Sequence, residues 1–286
     1  MKNIDITQAS AVVSDNIAVG KDYRKILLDC PAKFAHAVSG QFVTLALPWM
    51  DTPILRRPFS IHRISVREKE NRCHVAILFK VIGKFTRALA GTEKQAKVDI
   101  LGPLGSGFSL PKKPGPVAIV GGGIGVAPLV FLAESLKRTG KIHENTRIFI
   151  GGRTSDDILC VDDFTRLGYG VSISTEDGSM GEKGMITELL SAHIGAARPE
   201  TIYACGPIPM LKAVFREASV LNISCQVSVE TVMACGIGIC LGCAIQAKNA
   251  DKGFLHVCKD GPVFNAESLW DPEDVQKKVH PKGSNI

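Results

Sequence analysis

The sequence predicts a β-barrel plus α/β fold: an antiparallel barrel, then a parallel-sheet domain, then a small C-terminal module built on cysteines. Three observations predict this order. Up to residue 112, short apolar runs alternate with polar, glycine and proline breaks. After Pro114-Gly115-Pro116, strand-like and helix-like stretches alternate around a glycine-rich turn. Near the C-terminus, four of the nine cysteines gather in one stretch, Glu230 to Pro262. The expected boundaries are 1–112 for the barrel, 113–222 for the α/β domain, 223–266 for the cysteine module and 267–286 for a tail.

At 286 residues, with 45% apolar and 22% charged residues, the chain is globular and long enough for two domains and an appendage. Nine cysteines in a chain of this size do not read as a disulfide framework, which makes a reducing, cytoplasmic setting the expectation. The N-terminal MKNIDITQASAVVSDN carries acidic residues and no apolar core, so it does not read as a signal peptide. The most apolar run, Val117 to Ala133, is broken by Gly121, Gly122, Gly123, Gly125 and Pro128, so no membrane span is expected. Net charge is +6, with small clusters at Lys112-Lys113 and Lys277-Lys278 that fit a solvated face or an anionic partner. No nucleic-acid motif and no internal repeat is present.

In the barrel region, Tyr23–Leu28, Gln41–Leu47 and His74–Lys80 read as strands, and Phe85–Ala90 as a helix. Arg56-Arg57-Pro58-Phe59-Ser60 precedes the strand-like Ile61–Val66. An arginine can fork onto a pyrophosphate, an aromatic can stack on a flat ring, and a hydroxyl can reach a ring nitrogen. As a bare string, this is equally an ordinary strand entry.

In the α/β region, Val117–Val120 is a short apolar strand and Leu129–Arg138 a helix. Between them, Gly121-Gly122-Gly123-Ile124-Gly125-Val126-Ala127-Pro128 forms the turn. Strand, glycine turn and helix together aim backbone N–H groups at a phosphate. Pro128 stands where the dinucleotide fingerprint has its third glycine. Further strands are expected at Arg147–Ile150, Val171–Ser174 and Thr201–Ala204, and helices near Val161–Leu167 and Thr187–Ala192. The last strand ends in Cys205-Gly206-Pro207, and Pro209-Met210-Leu211 opens a helix. No acidic residue ends the second strand to read an NAD ribose, and Arg153 there could even face a 2′-phosphate.

The cysteines follow the order Cys235-x4-Cys240-x2-Cys243, with Cys258 after a fourteen-residue gap. This is the ligand order of plant-type 2Fe–2S sites. Three thiolates from one tight loop wrap one end of a small cluster, and the fourth comes from a separate piece of chain. Gly236, Gly238 and Gly242 suit close backbone approach and positive φ. The alternatives are buried free cysteines, which pack as small hydrophobes, or a zinc site, of whose usual two pairs only half is present.

Taken together, Arg-x-aromatic-Ser, the glycine loop ending in proline, and Cys-Gly-Pro resemble the ferredoxin–NADP reductase superfamily. The resemblance implies FAD bound by Arg57, Pro58, Phe59 and Ser60, and by Leu78, Phe79 and Lys80. In Gly83-Lys84-Phe85-Thr86, Thr86 matches the family pattern while Phe85 replaces a glycine, which puts close approach to the FAD phosphate there in doubt. Lys80, in place of the family's arginine, would act as a point charge rather than a fork. The resemblance further implies NAD at Gly122, Gly123 and Gly125, with Cys205, Gly206 and Pro207 against the nicotinamide.

With the cluster loop added, GGGIGVAPL, ACGPIPMLKAV and SVETVMACGIGICLGCAIQ…HVCKDGPVF are similar to the electron transfer subunit of type B dihydroorotate dehydrogenase. That family resemblance implies a relay among NAD, FAD and a 2Fe–2S cluster held by Cys235, Cys240, Cys243 and Cys258. The implied partner is an FMN-containing catalytic subunit that oxidises dihydroorotate to orotate, two of each forming a heterotetramer. The same relay could serve another oxidoreductase, such as a sulfide dehydrogenase, a hydrogenase or a ferredoxin:NADP reductase. Glu230 is expected to cap a turn or lie near the flavin. The tail from Ser268 onward is expected to be disordered or to cover a partner.

Overall fold

The computed structural model describes residues 6–51, 54–141, 143–248 and 253–273. The first sheet holds seven strands: β1 (Thr7–Gly20), β2 (Tyr23–Pro31), β3 (Phe42–Ala46), β4 (Arg57–Ser60), β5 (Arg63–Arg67), β6 (Arg72–Lys80) and β7 (Lys97–Leu104). Helix α1 (Lys84–Ala90) sits between the last two. The strand order is β4-β3-β7-β1-β2-β6-β5, antiparallel throughout. β2 shows the half-buried strand pattern: Ile26, Leu28 and Cys30 point inward and the residues between them outward. β1, like β7, is not among the strands that apolar patterning picked out. Its buried positions include the small residues Ala11 and Val13, and a register shift between Val13 and Asp15 breaks the alternation.

The second sheet starts with β8 (Val117–Gly122), followed by α2 (Ala127–Arg138), β9 (Arg147–Gly152), α3 (Val161–Arg166), β10 (Gly170–Thr175) and β11 (Glu182–Lys183). Next come α4 (Ile186–Ala196), β12 (Thr201–Cys205), α5 (Ile208–Val220) and β13 (Ser224–Ser228). β8 is buried at every position, as expected for a parallel strand covered on both faces. Pro128 falls in the first turn of α2, where its missing N–H removes no helix hydrogen bond. The glycine-to-proline departure is therefore compatible with the strand–turn–helix unit.

The last strands are β14 (Ala244–Gln246), β15 (Phe254–His256) and β16 (Val263–Asn265). β14 and β15 form a small hairpin sheet. The large sheet runs β11-β10-β9-β8-β12-β13-β16, parallel except for its final pair. The parallel sheet thus continues past residue 222 into β13, and β16 returns antiparallel onto it. The expected division at 222/223 cuts through this sheet. Ser224–Ser228 reads as polar, but its neighbours on both sides recruit it.

Barrel and α/β domain share core. Phe131 of α2 is buried among the barrel residues, and Tyr23 and Leu78 of the barrel pack with the β8 and α2 residues. Burying a side chain the size of Phe131 contributes about 1.5–3 kcal/mol. Ser268 to Glu273, at the start of the expected tail, are ordered: Trp270 packs on Phe215 at 6.2 Å with Lys212 over its ring. The rest of that tail, with Lys277-Lys278, lies outside the described residues.

Candidate functional site

Two cavities open between the domains. The first, about 680 Å3, lies at the carboxyl ends of β8, β9, β10 and β12. The strand order reverses about β8, with β9 on one side and β12 on the other, and ligands of open α/β sheets bind at such a switch point. Gly122, Gly123, Gly125, Gly206 and Pro207 all line it. The glycines are there for different reasons. A Cβ on Gly125 would come within 2.4 Å of the Cys205 carbonyl, so the loop lies directly on the Cys-Gly-Pro turn. Gly123 has φ 52° and open space in front of it, leaving backbone exposed to a ligand. Cys205 lines neither cavity: its thiol is buried, and desolvation with the nearby Glu230 charge raises its pKa.

The second cavity, about 600 Å3, is floored by the barrel. Arg57, Pro58, Phe59, Ser60, Leu78, Phe79, Lys80, Phe85 and Thr86 all border it, so the barrel residues singled out from the sequence converge. Arg56 is committed to an ion pair with Asp99. Arg57 hydrogen-bonds only the carbonyls of Leu55 and Arg56 among the described residues, which leaves its charge for an anion. Phe85 packs its ring on the barrel core beside Phe59, at 6.0 Å, so the bulk added at that position becomes part of the cavity wall. The Thr86 hydroxyl accepts from the N–H groups of Ile82 and Gly83 at 2.9 Å and shapes the turn into α1.

Lys80, Ile124 and Glu230 line both cavities and mark where they meet. Glu230 follows β13 on the same sheet edge as Gly122 and Cys205. Its carboxyl opens into the cavities with protein packed around it, and this desolvation raises its pKa. Sequence reading left its role open; the signal was its place at the carboxyl end of a strand. Lys80 is held by Asp157 at 3.1 Å and lies over the Tyr23 ring. Asp157 also accepts from Tyr23 and, at 3.1 Å, from Arg153. Arg153 is thereby tied to a carboxylate rather than poised alone for a 2′-phosphate. Burial would raise the Asp157 pKa, but the hydrogen bonds from Tyr23, Lys80 and Arg153 outweigh it and hold the carboxyl at about 2.

The four cysteines stand as two pairs. Cys243 and Cys258 have sulfurs 3.1 Å apart. At the other end, the N–H groups of Ile237 and Cys240 point at the Cys235 sulfur at 3.5 and 3.4 Å, while Gly238 donates to Cys258 at 3.1 Å. Burial would raise Cys235, but the N–H groups of Cys240 and Ile237 bring it down to about 6. Burial and the adjoining Cys243 sulfur push Cys258 up. Among the described residues, the one trio of metal-ligand atoms within 4.8 Å of one another is His62, Cys160 and Asp163. None of the four loop sulfurs belongs to that trio. Two pairs side by side fit a binuclear cluster, one pair per metal. Gly236 and Gly238 take φ of 71° and 82° as expected; the third left-handed position is Leu241, at 59°, rather than Gly242. Gly236 faces barrel strand β3: a Cβ added there would come within 3.0 Å of the Thr44 side chain and 3.8 Å of Phe42, which also lines the second cavity.

Comparison with known proteins agrees with this geometry. Residues 230–270 match the family described as the iron–sulfur cluster binding domain of dihydroorotate dehydrogenase B, and residues 119–216 match the oxidoreductase NAD-binding domain. The dihydroorotate dehydrogenase B (NAD(+)) electron transfer subunit of Desulforamulus reducens is 36% identical over 85% of this chain and 91% of its own. That of Caldanaerobacter subterraneus is 36% identical over 91% of this chain and 97% of its own. A solved structure of NADH-dependent reduced ferredoxin-NADP oxidoreductase superimposes with a TM-score of 0.78 at 26% identity, covering 95% of this chain and 93% of that one. With cavities, paired sulfurs and sequence in accord over nearly the whole length, the chain belongs to the family of dihydroorotate dehydrogenase B electron transfer subunits.

Proposed function

We propose that this chain passes electrons from a partner dihydroorotate dehydrogenase catalytic subunit to NAD, as an NAD-linked flavin and iron–sulfur oxidoreductase subunit active within a complex. The observation that carries this reading is the meeting of the two cavities at Lys80, Ile124 and Glu230, with the cysteine loop packed against the wall of one of them. When bound, FAD exchanges hydride with NAD and single electrons with the 2Fe–2S cluster.

The residues of the chain bind, orient and insulate. Arg57 is assigned to the FAD pyrophosphate, its charge free of carboxylate partners among the described residues. Pro58, Phe59, Ser60, Leu78 and Phe79 form the wall for the ring system, and Phe85 and Thr86 its rim. Lys80, fixed by Asp157, places a positive charge at the junction. Gly122, Gly123 and Gly125 bring backbone against the NAD phosphates, and Gly206 and Pro207 hold the nicotinamide end. Cys205 sets that turn from beneath. Cys235, Cys240, Cys243 and Cys258 hold the cluster, with N–H···S hydrogen bonds stabilising the thiolates.

The partner is assigned as an FMN-containing subunit in a heterotetramer of two catalytic and two electron transfer chains. Around the cysteine loop, Val232, Ile239, Leu241 and Phe254 are exposed apolar residues, and we assign this patch as its docking surface. Cytoplasmic residence is supported by nine cysteines free of disulfides. Among the described residues, no helix is long and apolar enough to cross a membrane.

The test is anaerobic visible absorption of the complex isolated from its native source. Dihydroorotate alone is expected to bleach the flavin and cluster bands, and NAD to restore them. Bleaching by NADH but not by dihydroorotate would keep the relay and give it a different partner.

A further inference from the structure

Away from both cavities, at the seam between the domains, the same trio of ligand-type groups stands without an assigned role. A ring nitrogen of His62, the sulfur of Cys160 and a carboxylate oxygen of Asp163 all lie within 4.8 Å of one another. His62 comes from the barrel, between β4 and β5, and is 1% exposed. Cys160 and Asp163 come from the α/β domain, at the start of α3, and are half-buried.

The histidine defines what can fill the space. Its Nδ1 lies 2.7 Å from the carbonyl of Ala127, which only accepts, so Nδ1 carries the proton. In the neutral ring, Nε2 then presents a lone pair, and that atom is buried with no hydrogen-bond partner. A Cys–His–Asp relay needs both ring nitrogens, one for the thiol and one for the carboxylate. Here one is already committed to the backbone. What remains is an uncommitted lone pair on a ring whose nitrogen edge lies within 4.8 Å of a thiol and a carboxylate, a set that suits a cation. Metal-ligating histidines commonly donate their other N–H to a backbone carbonyl, as His62 does to Ala127.

We infer that His62, Cys160 and Asp163 form a site for a divalent d-block cation, Zn2+ by the nature of its ligands, that clips the barrel to the nucleotide domain. One nitrogen, one thiolate and one carboxylate are a mixed donor set of the kind zinc accepts, with the fourth position open to water. The charges balance, since a thiolate and a carboxylate neutralise a dication beside a neutral imidazole. Arg63 adjoins the site, but Glu134 pairs with it at 2.6 Å, and both arginine contacts to Asp163 fall on one oxygen, Oδ1. Tetrahedral ligands at zinc stand about 3.5 Å apart. Ligands already within 4.8 Å reach that spacing by small side-chain rotations. The thiol proton leaves to solvent as the metal binds.

The experiment uses the iron- and flavin-replete protein, given one equivalent of Zn2+ and then desalted. About one zinc per chain is expected to stay bound. Zinc-edge X-ray absorption should show one sulfur at about 2.3 Å with nitrogen and oxygen ligands at about 2.0–2.1 Å. Zn2+ should also raise Tm, and more so as free Zn2+ rises above its Kd. In Cys160→Ser the sulfur contribution should vanish and zinc retention fall at least tenfold; Asp163→Asn should weaken retention likewise. Iron and flavin content near the parent level would report that each variant is folded. Three results would overturn the site: four sulfurs around zinc, which places it in the cluster loop; no zinc retained; or an unchanged sulfur shell in Cys160→Ser.

Discussion

Single residues at the cavity junction carry the sharpest expectations. Asp157 joins Tyr23 and Lys80 of the barrel to Arg153 of the nucleotide domain, and its depressed pKa means the folded state prefers it charged. Its contribution is therefore present above the ordinary aspartate range, near pH 4, and lost as pH falls toward about 2. Asp157→Asn should cost about 1–2 kcal/mol at neutral pH and flatten the acid limb of the stability profile, measured by urea unfolding across pH. Glu230 has the opposite sign. Its raised pKa means the fold favours the protonated form, so its contribution is lost as pH rises through its folded pKa. NADH-driven flavin reduction should then show a titration step above the usual glutamate range. Stopped-flow rates across pH should lose that step in Glu230→Gln. A step that survives the substitution would take Glu230 out of the junction chemistry.

Among elements, the cysteine loop combines a metal-binding interior with a greasy exterior, and Ile239 stands at its crest. Ile239→Asp is expected to weaken association with the catalytic subunit at least tenfold by isothermal titration, with iron per chain as the control for loop integrity. This loop was legible in the sequence because its chemistry is local: ligand spacing and glycines lie within one short stretch. The glycine turn before α2 was legible for the same reason, whereas Arg57–Ser60 read as the entry to a strand at Ile61–Val66, and the structure has β4 at Arg57–Ser60 and β5 at Arg63–Arg67. Elements defined by distant neighbours were not legible. β1 hides its strand character behind small inward residues and a bulge, and β13 behind serine and glutamine. The Lys80–Asp157 pair spans the two domains and leaves no mark in the sequence at all. Phe85 looked like an obstacle in a one-dimensional pattern and becomes part of a three-ring aromatic floor with Phe59 and Phe79.

For the whole molecule, the governing fact is that two sheets and a cysteine loop share walls instead of meeting through linkers. Phe42 borders the second cavity and faces Gly236 of the loop, while the N–H of Ser106, after the barrel, donates to the carbonyl of Gly261 beyond the last cysteine. β16 then closes the edge of the parallel sheet against β13. A chain ended at Glu230 would leave the outer edge of Gln226–Ser228 unpaired, and an open edge invites pairing with another copy. Such a truncated chain should run as aggregates in size-exclusion chromatography, while the full chain stays discrete.

The return of β16 also bears on modularity. A redox module tethered by a flexible linker can be exchanged between proteins like a cartridge, since its host folds without it. Here the segment that follows the last cysteine is the border strand of its host. Grafting a different cluster onto this scaffold, or lending this cluster to another reductase, would have to carry that border along with the ligands.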